Sequence, residues 1–272
     1  MNRRPATAKL NLALVVGPRR EDGKHELVTV YQRLALHDRV RVERGGGLRV
    51  DGFAGDTLVR RALEALAARA GVAPAWTARI WKRIPVAAGL GGGSSDAATA
   101  LRLANALLPE PVEDTELHAV ARGLGADIPF FLAPGPQLGR GDGSELEPLD
   151  LPQDYWVVLA LPNGARKEST ADVYAEFDAR GRAAGFEERR RALEDALARV
   201  RRARDLAALP VNDLVASPVA DELRRLGAFR ADVSGAGPVV YGLFHRRAAA
   251  EAAQRAFRRR GRIWLTAPTW YF

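Results

Sequence analysis

The sequence predicts an α+β protein with two β-sheets. Strand-type segments crowd the first 50 residues, alanine- and leucine-rich helical segments fill the middle, and strands and helices share the remainder. The chain has 272 residues, which exceeds the typical domain size of about 150 residues. A stretch loosened by proline and glycine precedes Asp150. We therefore expect two domains, covering residues 1–150 and 151–272.

Alternation of apolar and polar residues predicts the first elements. Residues 8–16 alternate and then run apolar, as a half-buried strand does, and residues 26–31 predict a second strand. Residues 39–43 and 48–50 flank three glycines, a pattern typical of a hairpin with a flexible tip. The start of the chain is therefore rich in strands.

Helical periodicity follows in the middle of the chain. Thr57 is a candidate N-cap for a helix whose apolar residues recur at helical spacing until Gly71 ends it. The next segments are a strand over residues 76–84 that Pro85 ends, helices over 97–108 and 113–125, and a buried apolar run over 128–132. Strand, glycine loop and helix therefore follow one another around residue 90.

The second half opens with residues 155–161, an apolar run of the kind found in central strands. Residues 186–206 predict one charged helix with an apolar stripe of Leu193, Leu197 and Val200. Because acidic residues interleave with its arginines, we interpret its charged surface as solvated rather than RNA-binding. The last segments are strands over 229–233 and 239–244, a helix over 247–260 and a strand over 262–266.

Composition excludes several classes of function. The chain has no cysteine, which excludes disulfides, thiolate metal sites and thiol nucleophiles. Its four histidines, at positions 25, 37, 118 and 245, have no metal-ligand spacing. No apolar run reaches the roughly 20 residues that span a bilayer, and no apolar segment of signal-peptide length follows the N-terminus. We therefore expect a cytoplasmic protein with no membrane partner.

The net charge of +8, from 41 basic and 33 acidic residues, would suit either nucleic acid or small anionic substrates. Only four of the basic residues are lysines, and most arginines alternate with acidic residues. We therefore favour small anionic substrates and expect no nucleic-acid partner.

The most informative segment is PVAAGLGGGSSDAATAL, residues 85–101. Its glycines allow consecutive backbone N–H groups to point into one concavity, and Ser94 and Ser95 then open a helix whose positive dipole end faces that concavity. The segment lacks the Gly-Lys-Ser/Thr of a Walker A loop, the third glycine of a dinucleotide fingerprint and the protein-kinase signatures. These features predict a triphosphate-binding loop of another type.

This segment resembles the central motif of the GHMP kinase superfamily, named for galactokinase, homoserine, mevalonate and phosphomevalonate kinases. Residues 8–12 and 233–238 are similar to its N-terminal and C-terminal motifs. Within the superfamily, residues 22–27, 124–131, 169–174 and 212–214 resemble the 4-diphosphocytidyl-2-C-methyl-D-erythritol kinases of non-mevalonate isoprenoid synthesis. The resemblance implies a first domain like domain 2 of ribosomal protein S5 and a ferredoxin-like second domain, with ATP and substrate bound in the cleft between them.

The resemblance implies transfer of the ATP γ-phosphoryl group to the 2-hydroxyl of the cytidine-diphosphate alcohol. Asp127 matches the catalytic aspartate and Lys9 the lysine beside it. Outside the family context, Asp127 would also fit a loop residue after a helix, and Lys9 an edge-strand lysine. The positions implied for ATP and phosphate are Thr57, Lys82, Pro85, Gly89, Leu90, Gly91, Gly92, Gly93, Ser94, Ser95 and Asp96. The positions implied for the substrate are Asn11, Lys24, His25, Tyr31 and Tyr174.

Magnesium is expected to arrive with ATP, with Ser95 as its candidate protein ligand and no dedicated protein cage. For Asp96 we favour a simpler role, in which the carboxylate complements the helix dipole. Two positions depart from the family pattern: Lys24 replaces the usual tyrosine that stacks on cytosine, and Thr57 replaces a common asparagine of the adenine site. They leave open a GHMP kinase for another small alcohol, of the homoserine or mevalonate type. A remote alternative is an RNA-binding module without kinase activity, and we expect a monomer or weak homodimer.

Overall fold

The computed structural model describes residues 3–54, 57–165 and 169–270. Its first sheet has six strands in the order β3-β4-β2-β5-β6, with β1 paired to β2. The strands are β1 (Arg4–Arg19), β2 (His25–Arg44), β3 (Arg49–Asp51), β4 (Trp76–Trp81), β5 (Gln137–Arg140) and β6 (Glu145–Pro148). The second sheet has the order β10-β7-β9-β8, with β7 (Trp156–Pro162), β8 (Arg230–Val233), β9 (Val240–Phe244) and β10 (Gly261–Thr266). The predicted α+β class with two sheets is confirmed.

Helices cover or connect the two sheets. The α-helices of the described residues are α1 (Leu58–Ala70), α2 (Gly92–Asn105), α3 (Asp114–Leu124), α4 (Ile128–Leu132), α5 (Thr170–Ala179), α6 (Phe186–Arg199), α7 (Pro218–Arg225) and α8 (Arg247–Phe257). A 3-10 helix covers Ala203–Ala208. Helices α5 and α7 were not predicted.

The predicted hairpin between residues 39–43 and 48–50 is wrong. The first of these segments belongs to β2, one continuous strand of 20 residues. The second is β3, which pairs in parallel with β4, and β4 pairs with β2. Parallel neighbours require a crossover connection, and α1 between β3 and β4 supplies it. The glycines therefore carry the chain past β4 instead of turning it back on β2.

The predicted helix over residues 186–206 is also too long, because α6 ends at Arg199. Val200 is extended and buried. The Asp205 carboxylate then accepts hydrogen bonds from the backbone N–H groups of Arg201 and Arg202. This cap starts a separate 3-10 turn and interrupts the helix.

One hydrophobic core joins the two sheets. It contains Leu10 and Leu12 of β1, Leu159 of β7, Tyr241 of β9 and Leu193 of α6. A second core lies between the first sheet and helices α1 to α4, and a third between the second sheet and helices α7 and α8. Residues of both sheets therefore meet along β1, which carries Lys9 and Asn11. Within the described residues, no helix is long and apolar enough to cross a membrane.

Candidate active site

A cavity of about 500 Å³ lies where β1, the glycine loop (residues 85–94), α5 and the turn between β8 and β9 meet. Of the residues that the sequence pointed to, its walls contain Lys9, Asn11, Tyr31, Lys82, Pro85, Gly89, Leu90, Gly91, Gly92, Gly93, Ser94, Asp127 and Tyr174. The remaining predicted positions, Lys24, His25, Thr57, Ser95 and Asp96, lie outside this lining. The fold therefore gathers residues from both ends of the chain around the glycine loop.

The glycine loop adopts a conformation that side chains would block. Gly89 and Gly91 have φ values of +80° and +67°. A Cβ at Gly91 would lie 2.8 Å from Phe131 Cζ and 2.9 Å from Lys9 Cγ. Helix α2 begins at Gly92, earlier than predicted, so its N-terminal amides face the cavity from the loop itself. Such an arrangement is suited to bind phosphate oxygens.

Backbone and side-chain bonds hold the loop between β1 of the first sheet and the turn after β8 of the second sheet. The Lys9 N–H donates to Leu90 O at 2.9 Å, and Ser234 Oγ donates to Gly89 O at 2.9 Å. The Asn11 N–H in turn donates to Ser234 Oγ at 3.4 Å. Ser234 was not singled out from the sequence, although it lies inside the matched motif at residues 233–238. It links strand β1, the glycine loop and the turn after β8.

Lys9 and Asp127 form the charged centre of the cavity. Lys9 Nζ lies 3.4 Å from Asp127 Oδ2 and donates to Asn11 Oδ1 at 2.6 Å. The Lys9 side chain is 5% exposed, whereas that of Asp127 is 35% exposed. Lys9 is therefore a buried cation and not a solvent-exposed one, and Asp127 remains open to the cavity.

Asn11 is held in turn by a residue that the sequence gave no reason to select. Asn11 Nδ2 donates to Thr29 Oγ1 at 2.7 Å, and Thr29 Oγ1 donates to Ala13 O at 2.8 Å. This chain of bonds fixes the amide so that its oxygen faces Lys9.

A second lysine lies beneath the glycine loop. Lys82 Nζ bonds Asp38 Oδ2 at 2.5 Å and Asp96 Oδ2 at 2.7 Å. Burial by itself would lower the pKa of Lys82, but the two carboxylates outweigh burial and raise the pKa above its ordinary value. The Asp38 carboxylate also accepts a hydrogen bond from the Ile84 N–H at 2.8 Å. Asp96 therefore pairs with a cation, and the triad anchors the strand end from which the loop leaves.

At the other end of the cavity, Tyr174 of α5 and His25 of β2 stack with ring centroids 4.8 Å apart. His25 Nε2 lies 2.7 Å from Asp178 Oδ1, one helical turn after Tyr174. Lys24 pairs with Asp142, which lines the cavity, and the Lys24 side chain is 56% exposed. The Lys24 side chain therefore pairs with a carboxylate of the cavity wall and is not itself part of that wall.

Asp127 directly precedes α4, whose C-terminal carbonyls accept hydrogen bonds from two arginines. Arg33 Nη2 donates to Phe130 O at 2.6 Å and also to Ala133 O, and Arg102 donates to Leu132 O. Cations near the C-terminus of a helix interact favourably with the helix dipole. The Tyr31 hydroxyl donates to Asp127 Oδ1 at 3.1 Å. The catalytic candidate is therefore attached to a short helix that is tied down at its far end.

Comparison with known proteins agrees with this geometry. Residues 57–135 match the family model of the GHMP kinases N terminal domain, and residues 215–263 match that of the GHMP kinases C terminal domain. The chain is 42% identical over 267 residues to a 4-diphosphocytidyl-2-C-methyl-D-erythritol kinase of Anaeromyxobacter sp. (strain Fw109-5), covering 92% of this chain and 84% of that protein. It is 35% identical to one of Chlorobium phaeobacteroides (strain BS1), covering 97% and 96%.

Solved structures extend the agreement to three dimensions. A crystal structure of 4-(cytidine 5'-diphospho)-2C-methyl-D-erythritol kinase superposes with a TM-score of 0.78 at 36% identity, covering 98% of this chain and 99% of that one. A mevalonate kinase structure has a TM-score of 0.75 at 12% identity, with 98% and 99% covered, which shows a shared fold alone. The predicted two-domain GHMP kinase fold is confirmed, and the chain belongs to the 4-diphosphocytidyl-2-C-methyl-D-erythritol kinase family of the GHMP kinases.

Proposed function

We propose that this protein transfers the γ-phosphoryl group of ATP to the 2-hydroxyl of 4-diphosphocytidyl-2-C-methyl-D-erythritol, a step of non-mevalonate isoprenoid synthesis. One observation supports this chemistry above the others: Asp127 and Lys9 meet in the same cavity as the glycine loop. Family membership supports the acceptor, and the geometry supports phosphoryl transfer, which depends mainly on positioning and charge neutralisation.

In the proposed mechanism Asp127 is the general base. Its carboxylate accepts the proton of the acceptor hydroxyl, whose oxygen forms a bond to the γ-phosphorus. The bond from the γ-phosphorus to the oxygen that bridges to the β-phosphate breaks, and ADP leaves. Lys9, at 3.4 Å from the carboxylate, offsets negative charge on the transferring group. Asn11 holds the Lys9 ammonium in place.

The loop and helix α2 are proposed to bind the triphosphate through the backbone amides of residues 89–95, with Lys82 below them. Magnesium bound with the nucleotide would neutralise phosphate charge. Ser95 fits a role as its protein ligand, because its buried Oγ has no hydrogen-bond partner among the described residues. The described residues contain no group of three or more histidine, cysteine, aspartate or glutamate side chains that could hold a metal ion.

Tyr174 and His25 are proposed to contact the cytosine end of the acceptor. The Tyr174 ring lines the cavity and already stacks on the imidazole, so the base would meet a preformed aromatic edge. Lys24 and Thr57 lie outside the cavity lining, and we propose that Lys24 contributes to acceptor binding and Thr57 to nucleotide binding. We further propose two domains divided at residue 150, a cytoplasmic location, a monomer or weak homodimer, and no nucleic-acid partner.

The first test is ADP release by the purified protein with ATP, magnesium and one of four acceptors: the cytidine-diphosphate alcohol, homoserine, mevalonate or galactose. We expect release with the first acceptor only. Release with another alcohol would keep the kinase and replace the acceptor. No release with any of them, together with salt-sensitive RNA binding, would favour the RNA-binding alternative.

The second test replaces Asp127. The variant Asp127→Asn keeps the shape of the side chain but cannot accept the proton, so we expect turnover to fall by at least about a hundredfold while ATP still binds. Asp221→Asn is the matched control, because Asp221 lies on α7 and its side chain is 70% exposed. Turnover equal to wild type in Asp127→Asn would remove Asp127 from the mechanism.

A further inference from the structure

We propose that Tyr31 is a positioning residue that orients the Asp127 carboxylate, and that it acts through Asp127 instead of binding the substrate. The inference rests on the proposed role of Asp127 as general base. Family resemblance alone placed Tyr31 among the substrate contacts. The structure instead directs its hydroxyl to the catalytic candidate.

The two carboxylate oxygens of Asp127 have different partners. The Tyr31 O–H donates to Oδ1 at 3.1 Å, and Lys9 Nζ lies 3.4 Å from Oδ2. No backbone N–H of α4 caps this carboxylate, although Asp127 occupies the N-cap position. Tyr31 therefore supplies the directional contact that fixes the rotation of the carboxylate, and Oδ2 faces the lysine and the cavity.

Tyr31 is itself held rigidly enough to serve as a reference point. The residue is 3% exposed, and its ring lies 4.9 Å from the ring of Phe130. Two glycines leave the space that the phenol occupies: a Cβ at Gly143 would lie 2.6 Å from its oxygen, and a Cβ at Gly139 would lie 2.7 Å from Cε2. Movement of the ring would therefore collide with backbone on one side and Phe130 on the other.

Two side chains of strand β2 hold Asp127 and the helix α4 that follows it. Tyr31 and Arg33 are two residues apart, so both side chains leave the same face of the strand. Tyr31 bonds the carboxylate that precedes α4, and Arg33 bonds carbonyls at the end of α4. The pair therefore fixes the short helix from both ends. Of the two, Tyr31 is the residue that contacts Asp127 itself.

The protonation state of the phenol agrees with this role. Burial, and then the negative charge of Asp127, raise the pKa of Tyr31 well above its ordinary value. The phenol therefore remains a hydrogen-bond donor at neutral pH and is not a competing base. Its one O–H is already donated to Asp127, so it has no second proton for a substrate oxygen.

Tyr31→Phe tests the proposal because it deletes one oxygen and keeps the packed ring. We expect kcat to fall between about tenfold and a hundredfold, with KM for the acceptor and for ATP within twofold of wild type. Tyr155→Phe is the matched control, since the Tyr155 hydroxyl is buried and has no hydrogen-bond partner among the described residues. It should leave kcat unchanged. A raised acceptor KM with unchanged kcat in Tyr31→Phe would make Tyr31 a substrate ligand and overturn the proposal.

A double-mutant cycle separates this inference from the function on which it rests. In single-turnover assays at saturating enzyme, adding Tyr31→Phe to Asp127→Asn should change the residual rate by less than twofold. A loss as large as in the wild-type background would show that Tyr31 acts independently of Asp127. Wild-type turnover in Asp127→Asn would instead refute the role of Asp127 as base. If the wild-type protein is active and Tyr31→Phe has the same kcat, only the inference about Tyr31 is refuted.

Discussion

Comparing Gly89→Ala with Gly23→Ala should separate two losses of stability at the glycine loop. One comes from an unfavourable backbone conformation, and the other from a steric clash. Gly89 has φ +80°, and a Cβ there would lie 2.2 Å from Ser234 O and 3.0 Å from Gly237 O. Gly23 has almost the same φ, +79°, but nothing lies within 4 Å of its Cβ position. The variants Gly89→Ala and Gly23→Ala are therefore matched in conformational strain and differ in the surrounding atoms.

The structure sets the size of the expected difference. Each variant carries a positive-φ penalty of about 1 kcal/mol. At Gly89 the new methyl group is also more than 1 Å too close to a backbone oxygen. The loop must retreat, which breaks the bonds from Ser234 Oγ to Gly89 O and from Val239 N–H to Ala88 O. Each lost bond costs about 1 kcal/mol. We therefore expect the free energy of unfolding to fall by about 3 kcal/mol in Gly89→Ala and by about 1 kcal/mol in Gly23→Ala.

Urea unfolding of both variants measures these losses, provided that the m-value stays that of wild type. ATP affinity, measured by calorimetry, should fall in Gly89→Ala and stay within twofold of wild type in Gly23→Ala. Equal losses of stability in the two variants would show that the contact between the glycine loop and the turn after β8 contributes nothing. In that case the contact does not shape the glycine loop.

Two further predictions concern buried polar groups. Burial raises the pKa of four tyrosines, and for Tyr174 and Tyr241 the value is about 12; the others are Tyr31 and Tyr155. Because a phenol with a raised folded-state pKa ionises first in the unfolded chain, stability should fall as pH rises above about 10. Phenolate absorbance at 295 nm from these four tyrosines should then grow only as the far-UV circular dichroism is lost, and ionisation of all five tyrosines of the chain in native protein at pH 11 would contradict this. Asn212→Ala should cost about 2–4 kcal/mol in urea, because its amide donates to Val233 O and Gly235 O; a loss below 1 kcal/mol would contradict that role.

Local sequence signals predicted most elements because those signals act over a few residues. The helix that Gly71 ends and the loop that opens α2 follow from glycine placement and helical periodicity. The two missed helices also carried such signals. Ser169 accepts a hydrogen bond from the Asp172 N–H at the start of α5, and Ser217 precedes Pro218 at the start of α7. Both are recognisable N-terminal patterns.

The misplaced hairpin has a different cause. Three glycines after a strand are compatible with a reversal and equally with a passage to a more distant partner. The choice depends on β4, which lies between β2 and β3 and comes from a segment about 30 residues further along the chain. Local pattern cannot rank two pairings whose free energies differ only through packing.

The same distinction runs through the candidate site. The glycine loop, Lys9 and Asp127 could be found because each belongs to a short motif. The pairings that these residues make could not be predicted, because Tyr31 is separated from Asp127 by 96 positions and Asp38 from Lys82 by 44. These partners decide where the motif residues point. A relative that kept every motif but lost the Tyr31 hydroxyl would lack the hydrogen bond to Oδ1 that holds the Asp127 carboxylate beside Lys9.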